Sequence, residues 1–290
     1  MPPTDIILPA LANGVLNGGV YALVALGLTL IYGVLHIINF AHGSLLMLAM
    51  YGAYFAFTQA GIDPYLALPG LMLLMGAVGF VLYRYVVGPF SHGDDRNILL
   101  VTLGCAVVID NFALAVFKGD SRTIETPYSF EVIEIGTMFL AFPRAVSFAV
   151  ALLLCVALAL LIARTDLGRA IRAVAKERTG ARLVGIDVER IFALSFAIGI
   201  ACLGAAACLL LPTFYVSPSA GNAFVLVAFT IVVLGGMGSF VGAMLGGVIV
   251  GVTESLGGLF LGEALGQIGI SVIFILILLL RPTGLFGNRA

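Results

Sequence analysis

"HIINFAHGSL" (His36–Leu45) places two histidines, an asparagine and a serine beside a glycine inside a run that is otherwise apolar from Gly14 to Phe57. A helix rising 1.5 Å per residue crosses a bilayer core of about 30 Å in roughly 20 residues. The run is about twice that length, so it folds back once, and the polar decapeptide marks the turn. Backbone that leaves the helix inside hydrocarbon must find hydrogen-bond partners within the protein or in a wet cavity. Asn39, His42 and Ser44, flanking Gly43, are residues that supply them at a turn. Two readings stand side by side: a self-satisfied hairpin near the cytoplasmic face, or a break that borders a polar path, as interrupted helices do. A metal site on His36 and His42 is not expected. They are not at the i, i+4 spacing of helix-borne ligands, and no carboxylate is near.

The rest of the chain places this turn in a membrane. Of 290 residues, 61% are hydrophobic and only 10% charged, where a soluble domain carries roughly 25%; the mean hydropathy is +1.17. The 36 glycines suit helices that pack closely in lipid. A net charge of −1 offers no basic surface for nucleic acid. Cys105, Cys155, Cys202 and Cys208 lie in apolar segments without ligand spacing and read as small reduced hydrophobes. The amino-terminal "MPPTDIILPALANG" has no basic region and carries Asp5, so no cleaved secretory signal is expected there.

Segments of about 65–87, 98–117, 143–163 and 191–212 each read as one helix, and 223–281 is apolar almost throughout. There "LGGMGSFVGAMLGG" (Leu234–Gly247) follows Ala223 too soon for an ordinary crossing, which predicts a second broken or re-entrant element. The expected fold is therefore all-α, a polytopic integral membrane protein with about eight or nine crossings. It forms one transmembrane domain over 1–290, with no extramembrane piece large enough to bury a core.

Seven of the 14 Lys and Arg residues fall between Arg164 and Arg190, which sets this loop in the cytoplasm. Alternation then puts 88–97 and the carboxyl-terminal Arg281 and Arg289 inside, and the net-acidic 118–142 outside, where "SFEVIEI" alternates like a short hairpin strand. Within "TDLGRAIRAVAKERTGARLVGIDVERI", Leu167, Ala170, Ile171, Val174 and Ala175 form one helical stripe. Arg169, Arg172, Lys176 and Glu177 occupy the other face, and Gly180 interrupts the helix before Arg182. Such a helix either lies on anionic lipid or docks in a groove on a cytoplasmic partner. No GxxxxGK[ST] occurs, so a nucleotide-driven device built on this chain needs an external motor.

Other polar residues at membrane depth are candidates for a path or for interhelical contact. Asn13, Asn17 and Tyr21 share a face of the first helix beside the Gly14/Gly18 pair. Asp110 with Asn111, and Glu254, are the acids placed deepest, and an intramembrane acid is a functional candidate or an interfacial anchor. Gly238, Gly242, Gly246, Gly247 and Gly251 repeat at close-packing spacing.

Three stretches, "NGVLNGGVYALVALGLTLIYGVLHIINFAHGSLLMLAMYGAY", "LGRAIRAVAKERTGARLVGIDVERIFALSFAIGIACLGAAACLL" and "AFTIVVLGGMGSFVGAMLGGVIVGVTES", resemble the first of the two paired permease subunits of bacterial branched-chain amino acid ABC importers. The resemblance runs from about Asn13 to the terminal "RPTGLFG". It implies a heterodimer with a related second permease, two ATPase subunits that bind the ATP, and an extracytoplasmic solute-binding protein. It also implies an inner-membrane location and no cofactor in this chain. By the same resemblance 165–190 is the coupling element that seats on an ATPase, with Arg169, Arg172, Lys176, Glu177, Thr179, Gly180 and Arg182 on it. His36 stands where relatives often carry a small residue, and Ser44 where many carry Glu.

The expected activity is import of branched-chain or related amino acids by alternating access along a path near Asn13, Asn17, Asn39, His42, Ser44 and Glu254. The alternative is a proton-coupled secondary transporter or channel using Asp110 or Glu254. An enzyme, pairing Ser239 with His42, is a distant third, because no nucleophile with a neighbouring base is visible.

Overall fold

α1 (Thr4–Leu35) runs through the middle of the molecule. The computed structural model describes residues 4–90, 95–135, 138–281 and 284–286. Residues 91–94, 136–137 and the carboxyl terminus with Arg289 lie outside the described residues. Hydropathy does not distinguish α1 from its apolar neighbours, but small residues do. Gly14, Gly18 and Gly27 let other backbones approach: a β-carbon on Gly18 would fall 2.6 Å from the Gly247 carbonyl oxygen, and one on Gly14 2.7 Å from the Val252 Cα. Gly14 thus faces Gly251 and Val252, and Gly18 faces Gly247, so α10 (Phe240–Leu261) runs antiparallel to α1.

The same chemistry seats the second central helix, α8 (Val188–Leu210). Gly199 meets Gly27 of α1, and Gly204 meets Leu71 of α3 (Pro64–Leu82). Helices with bulkier faces lie outside: α3, continued through a π turn and a 3-10 turn to Phe90, α4 (Asp95–Phe117) and α5 (Phe142–Arg164) leave most of their apolar surface exposed. That surface is suited to lipid tails. Among the described residues six helices are long and apolar enough to cross a membrane, and three more apolar helices accompany them: α2 (His42–Ala60), α9 (Ala220–Gly235) and α11 (Glu263–Leu280). The protein is a multi-pass membrane protein.

At one end of the bundle β1 (Val132–Ile135) pairs antiparallel with β2 (Met138–Ala141), Val132 opposite Ala141, as the alternation in "SFEVIEI" predicts. Arg122 and Val216 exchange backbone hydrogen bonds, and the Arg122 guanidinium lies over the rings of Tyr54 and Phe117. Asp63 caps α3 through Tyr65 N–H at 2.9 Å and accepts the Tyr128 hydroxyl at 2.7 Å, tying the loop that carries Tyr128 to the bundle.

Burial, and then the Asp63 carboxylate that Tyr128 bonds, hold the Tyr128 hydroxyl above the usual tyrosine range. The folded state therefore keeps this proton more tightly than the unfolded chain does. The tether is intact below the unfolded tyrosine value of about 10 and weakens as pH rises beyond it. Tyr128→Phe is expected to lower stability by about 1 kcal/mol at neutral pH, read as a fall in melting temperature, with the gap to wild type closing at strongly alkaline pH.

After α5, α6 (Asp166–Lys176) buries Gly168, Ile171 and Val174, the stripe expected of an amphipathic helix. The short α7 (Arg178–Leu183) follows.

Candidate functional site

The break after α1 runs deeper than a hairpin at the end of the bundle. His36 has φ +60°, the left-handed region that favours glycine, which gives a physical reason for a small residue at this position in the resembling family. From there residues 36–41 climb back into the bundle without helical structure. His42, the first residue of α2, places Nε2 3.0 Å from the Val24 carbonyl oxygen. Val24 precedes Leu35, the end of α1, by eleven residues, so α2 starts about 16 Å above that end.

The climbing backbone is met by polar partners, as hydrocarbon requires. Phe40 N–H donates to Thr102 Oγ1 at 3.4 Å, Ala41 N–H to Asn39 Oδ1 at 3.1 Å, and His42 N–H to the Asn39 carbonyl at 3.3 Å. The Phe40 ring stacks on Phe229 of α9.

α9 is the second interrupted element. Its first turn meets that of α2, with Gly43 and Gly221 so close that a β-carbon on either collides with the other's carbonyl. Two helix N-termini, each a locus of unpaired N–H groups and partial positive charge, thus converge inside the bundle. α9 stops at Gly235, and Ser239 Oγ accepts from Gly242 N–H to start α10. Ser239 Oγ caps α10 and His42 Nε2 meets α1, and among the described residues no hydrogen bond joins Ser239 to His42.

The six residues expected along a path fall into three places. Asn13 accepts from Arg144 Nη1 at 3.2 Å, and Asn17 lines a void of ≈ 10 Å³ with Arg144, Ser147 and Thr213, room for about one water. Asn39, His42 and Ser44 are buried at the break, and Asn39 Nδ2 and His42 Nδ1 have no hydrogen-bond partner among the described residues. Glu254 lines a separate cavity of ≈ 160 Å³ with Tyr21, Phe214 and Phe224. Phe214 borders both this cavity and the Asn17 void. Asn111 lies on the exposed face of α4 and donates to the Val107 carbonyl at 2.8 Å, away from these sites. Among the described residues no three metal-ligating side chains gather.

On the segment 165–190 Arg169 pairs with Asp166, and Arg169, Lys176 and Thr179 face solvent. Arg172 instead donates to the Ile162 carbonyl, at the end of α5. Glu177 caps α7 through Thr179 N–H at 3.0 Å, Gly180 packs on the Glu177 side chain, and Arg182 lies 3.7 Å from Glu189.

Two features escaped the sequence reading. Leu183 and Val184 are 84% and 76% exposed at the tip of this segment, just before Gly185 with φ +86°. "ARLVGI", polar on one side and closed by a glycine, is the signal that could have found them. Arg178 donates from Nη2 to the Leu35 carbonyl at 2.7 Å, with its guanidinium 5.1 Å from the Phe192 ring centre. Nothing in the local sequence pointed to that contact.

An apolar bundle around two helices that begin at mid-depth, with a two-faced segment against the end of α1, defines a polytopic membrane protein of the permease class. The family model described as "Branched-chain amino acid transport system / permease component" matches residues 10–280, and the chain belongs to that family. It is 34% identical to the high-affinity branched-chain amino acid transport system permease protein BraD of Pseudomonas aeruginosa, over 99% of this chain and 98% of the relative. It is 34% identical to LivH of Escherichia coli, over 95% and 94%, and 30% identical to the probable LivH of Methanocaldococcus jannaschii, over 96% and 91%. Among solved structures, PsaBC from Streptococcus pneumoniae in complex with a Fab shares the fold, with TM-score 0.50 at 13% identity over 94% of this chain and 92% of that one.

Proposed function

We propose that this chain is the membrane-spanning subunit of an importer that carries branched-chain or related amino acids across a bacterial inner membrane. The names of its relatives, BraD and LivH, support the cargo. ATP is bound and hydrolysed by two separate ATPase subunits, a related second permease completes the pathway, and an extracytoplasmic binding protein delivers the solute. The chain itself performs no covalent chemistry and holds no cofactor.

The observation that carries the mechanism is the hydrogen bond from Arg178 to Leu35. A segment with exposed Leu183 and Val184 grips the last carbonyl of α1, one residue before the break. Movement imposed on that segment reaches the turn at His36 and, through residues 37–41, the meeting point of α2 and α9. Alternating access then follows if the cytoplasmic partner favours one arrangement of that meeting point over the other. With Asn39, His42 and Ser44 buried, the arrangement described here keeps the break closed.

A second reading is a proton-coupled carrier working through Glu254, the acid that lines a cavity. Proteoliposomes holding both permeases and both ATPases, supplied with loaded binding protein, are expected to take up leucine only with ATP and to stop with vanadate. Leucine uptake by the isolated chain under a pH gradient alone would establish the carrier and overturn the importer.

A further inference from the structure

Glu254 stands on α10 about 21 Å from the start of that helix at Phe240 and about 10 Å from its end at Leu261. Helical side chains lean toward their own N-terminus, so Tyr21 on α1 and Glu254 on the antiparallel α10 lean toward each other. The Tyr21 hydroxyl comes within interaction range of the Glu254 carboxylate. Among the described residues no Lys, Arg or His forms an ion pair with Glu254. Burial disfavours the charged form of this acid, and a cation supplied from outside the chain would stabilise it.

The space beside it has the shape and chemistry for one. The cavity of ≈ 160 Å³ is walled by Phe214, Phe224, Val227 and Ala223, with Glu254 as its acid. Tyr21 and Phe214 stand tilted at 6.5 Å between ring centres, and Phe224 stands edge-on to both. Aromatic faces attract a cation and also pack against branched aliphatic groups. The volume lies below the range of roughly 300–1,000 Å³ typical of drug-sized pockets, which suits a compact solute.

Resting on the importer reading, we infer that this cavity is a transit subsite for the cargo's α-ammonium group. Glu254 takes the ammonium, and Phe214, Phe224 and Val227 receive the aliphatic side chain. The site thereby selects for free amino acids and against the corresponding carboxylic acids that lack the amino group. A basic side chain from a neighbouring subunit is the competing occupant, and the experiment below separates the two.

Ala223 lines the cavity and is half-buried, so Ala223→Cys sets a small thiol at its wall. N-ethylmaleimide alkylation of that thiol is followed in membranes holding the complete transporter without binding protein, in a Cys105→Ser background. Leucine, raised until its effect saturates, is expected to slow alkylation by about tenfold or more. 4-Methylpentanoate, the same body without the ammonium, is expected to leave the rate unchanged, and Glu254→Gln to abolish the protection by leucine. Equal protection by both compounds, no protection by either, or protection that survives Glu254→Gln would overturn the inference. A thiol that resists alkylation throughout would also overturn it, and would assign the cavity to a neighbouring subunit. If ATP-driven uptake succeeds while protection fails, the subsite falls and the importer stands. If protection is seen without ATP-driven uptake, the amino-acid site stands and the importer falls.

Discussion

Gly18→Val is expected to keep the protein from accumulating in the membrane, or to lower its melting temperature so far that it precipitates on extraction. The new side chain would start 2.6 Å from the Gly247 carbonyl oxygen and 2.8 Å from the Val248 Cα. Both obstacles are backbone, and the same contact seats α1 against the helix it packs on most extensively. Overpacking usually costs 1–3 kcal/mol because side chains shift to make room. Here whole helices must part, so the loss is expected at or above about 3 kcal/mol. Gly104→Val is the control: Gly104 lies on the exposed face of α4 with nothing within 4 Å of an added β-carbon, and its stability is expected to change by less than about 0.5 kcal/mol. Fluorescence-detected size-exclusion melting of the two variants reads both results. Equal stability of the pair would mean that α1 and α10 are not packed as described.

The paired change Leu183→Asp with Val184→Asp is expected to abolish binding of the ATPase subunits while leaving this chain folded. Both side chains stand well clear of the bundle, so their loss takes little from the fold. An apolar anchor buried at an interface typically contributes about 2 kcal/mol or more, which is roughly a thirtyfold change in dissociation constant. Adding two charges to a desolvated contact widens it. Titration of purified ATPase onto the permease pair measures this directly. Unchanged affinity would move the motor's seat elsewhere, for instance onto the solvent-facing Arg169, Lys176 and Thr179.

Much of this molecule was readable from local pattern, because membrane helices are specified by runs of apolar residues and interrupted by recognisable turn residues. The helices at 142–164 and 188–210, the stripe Leu167, Ile171 and Val174 with its first member half-buried, and the outer hairpin all follow from periods of 3.6 or 2 within a short window. Glycine spacing in α1 and α10 announced close approach, and the structure adds that one face of α10 takes α1 while Gly242 and Gly246 take α9.

The site was readable only in part. Asn39, His42 and Ser44 come together as their spacing suggests, yet Asn13 and Asn17 turn to α5 and Glu254 joins Tyr21. Which residues share a cavity depends on the register between helices far apart in sequence, and a single chain's pattern does not encode that register locally. The Arg178–Leu35 bond, between residues 143 apart in the chain, is of the same kind.

By itself the amino-acid order determined that this chain lives in a membrane and where its helices are interrupted, since these follow from transfer free energies and backbone preferences summed over neighbours. Only the tertiary structure decided how deep the interruption lies, that α2 and α9 start against one another, and that one carboxylate is left facing an aromatic cavity. Those outcomes are set by the closest approach that glycine contacts allow between distant helices, and by the direction in which side chains lean once the helices are antiparallel.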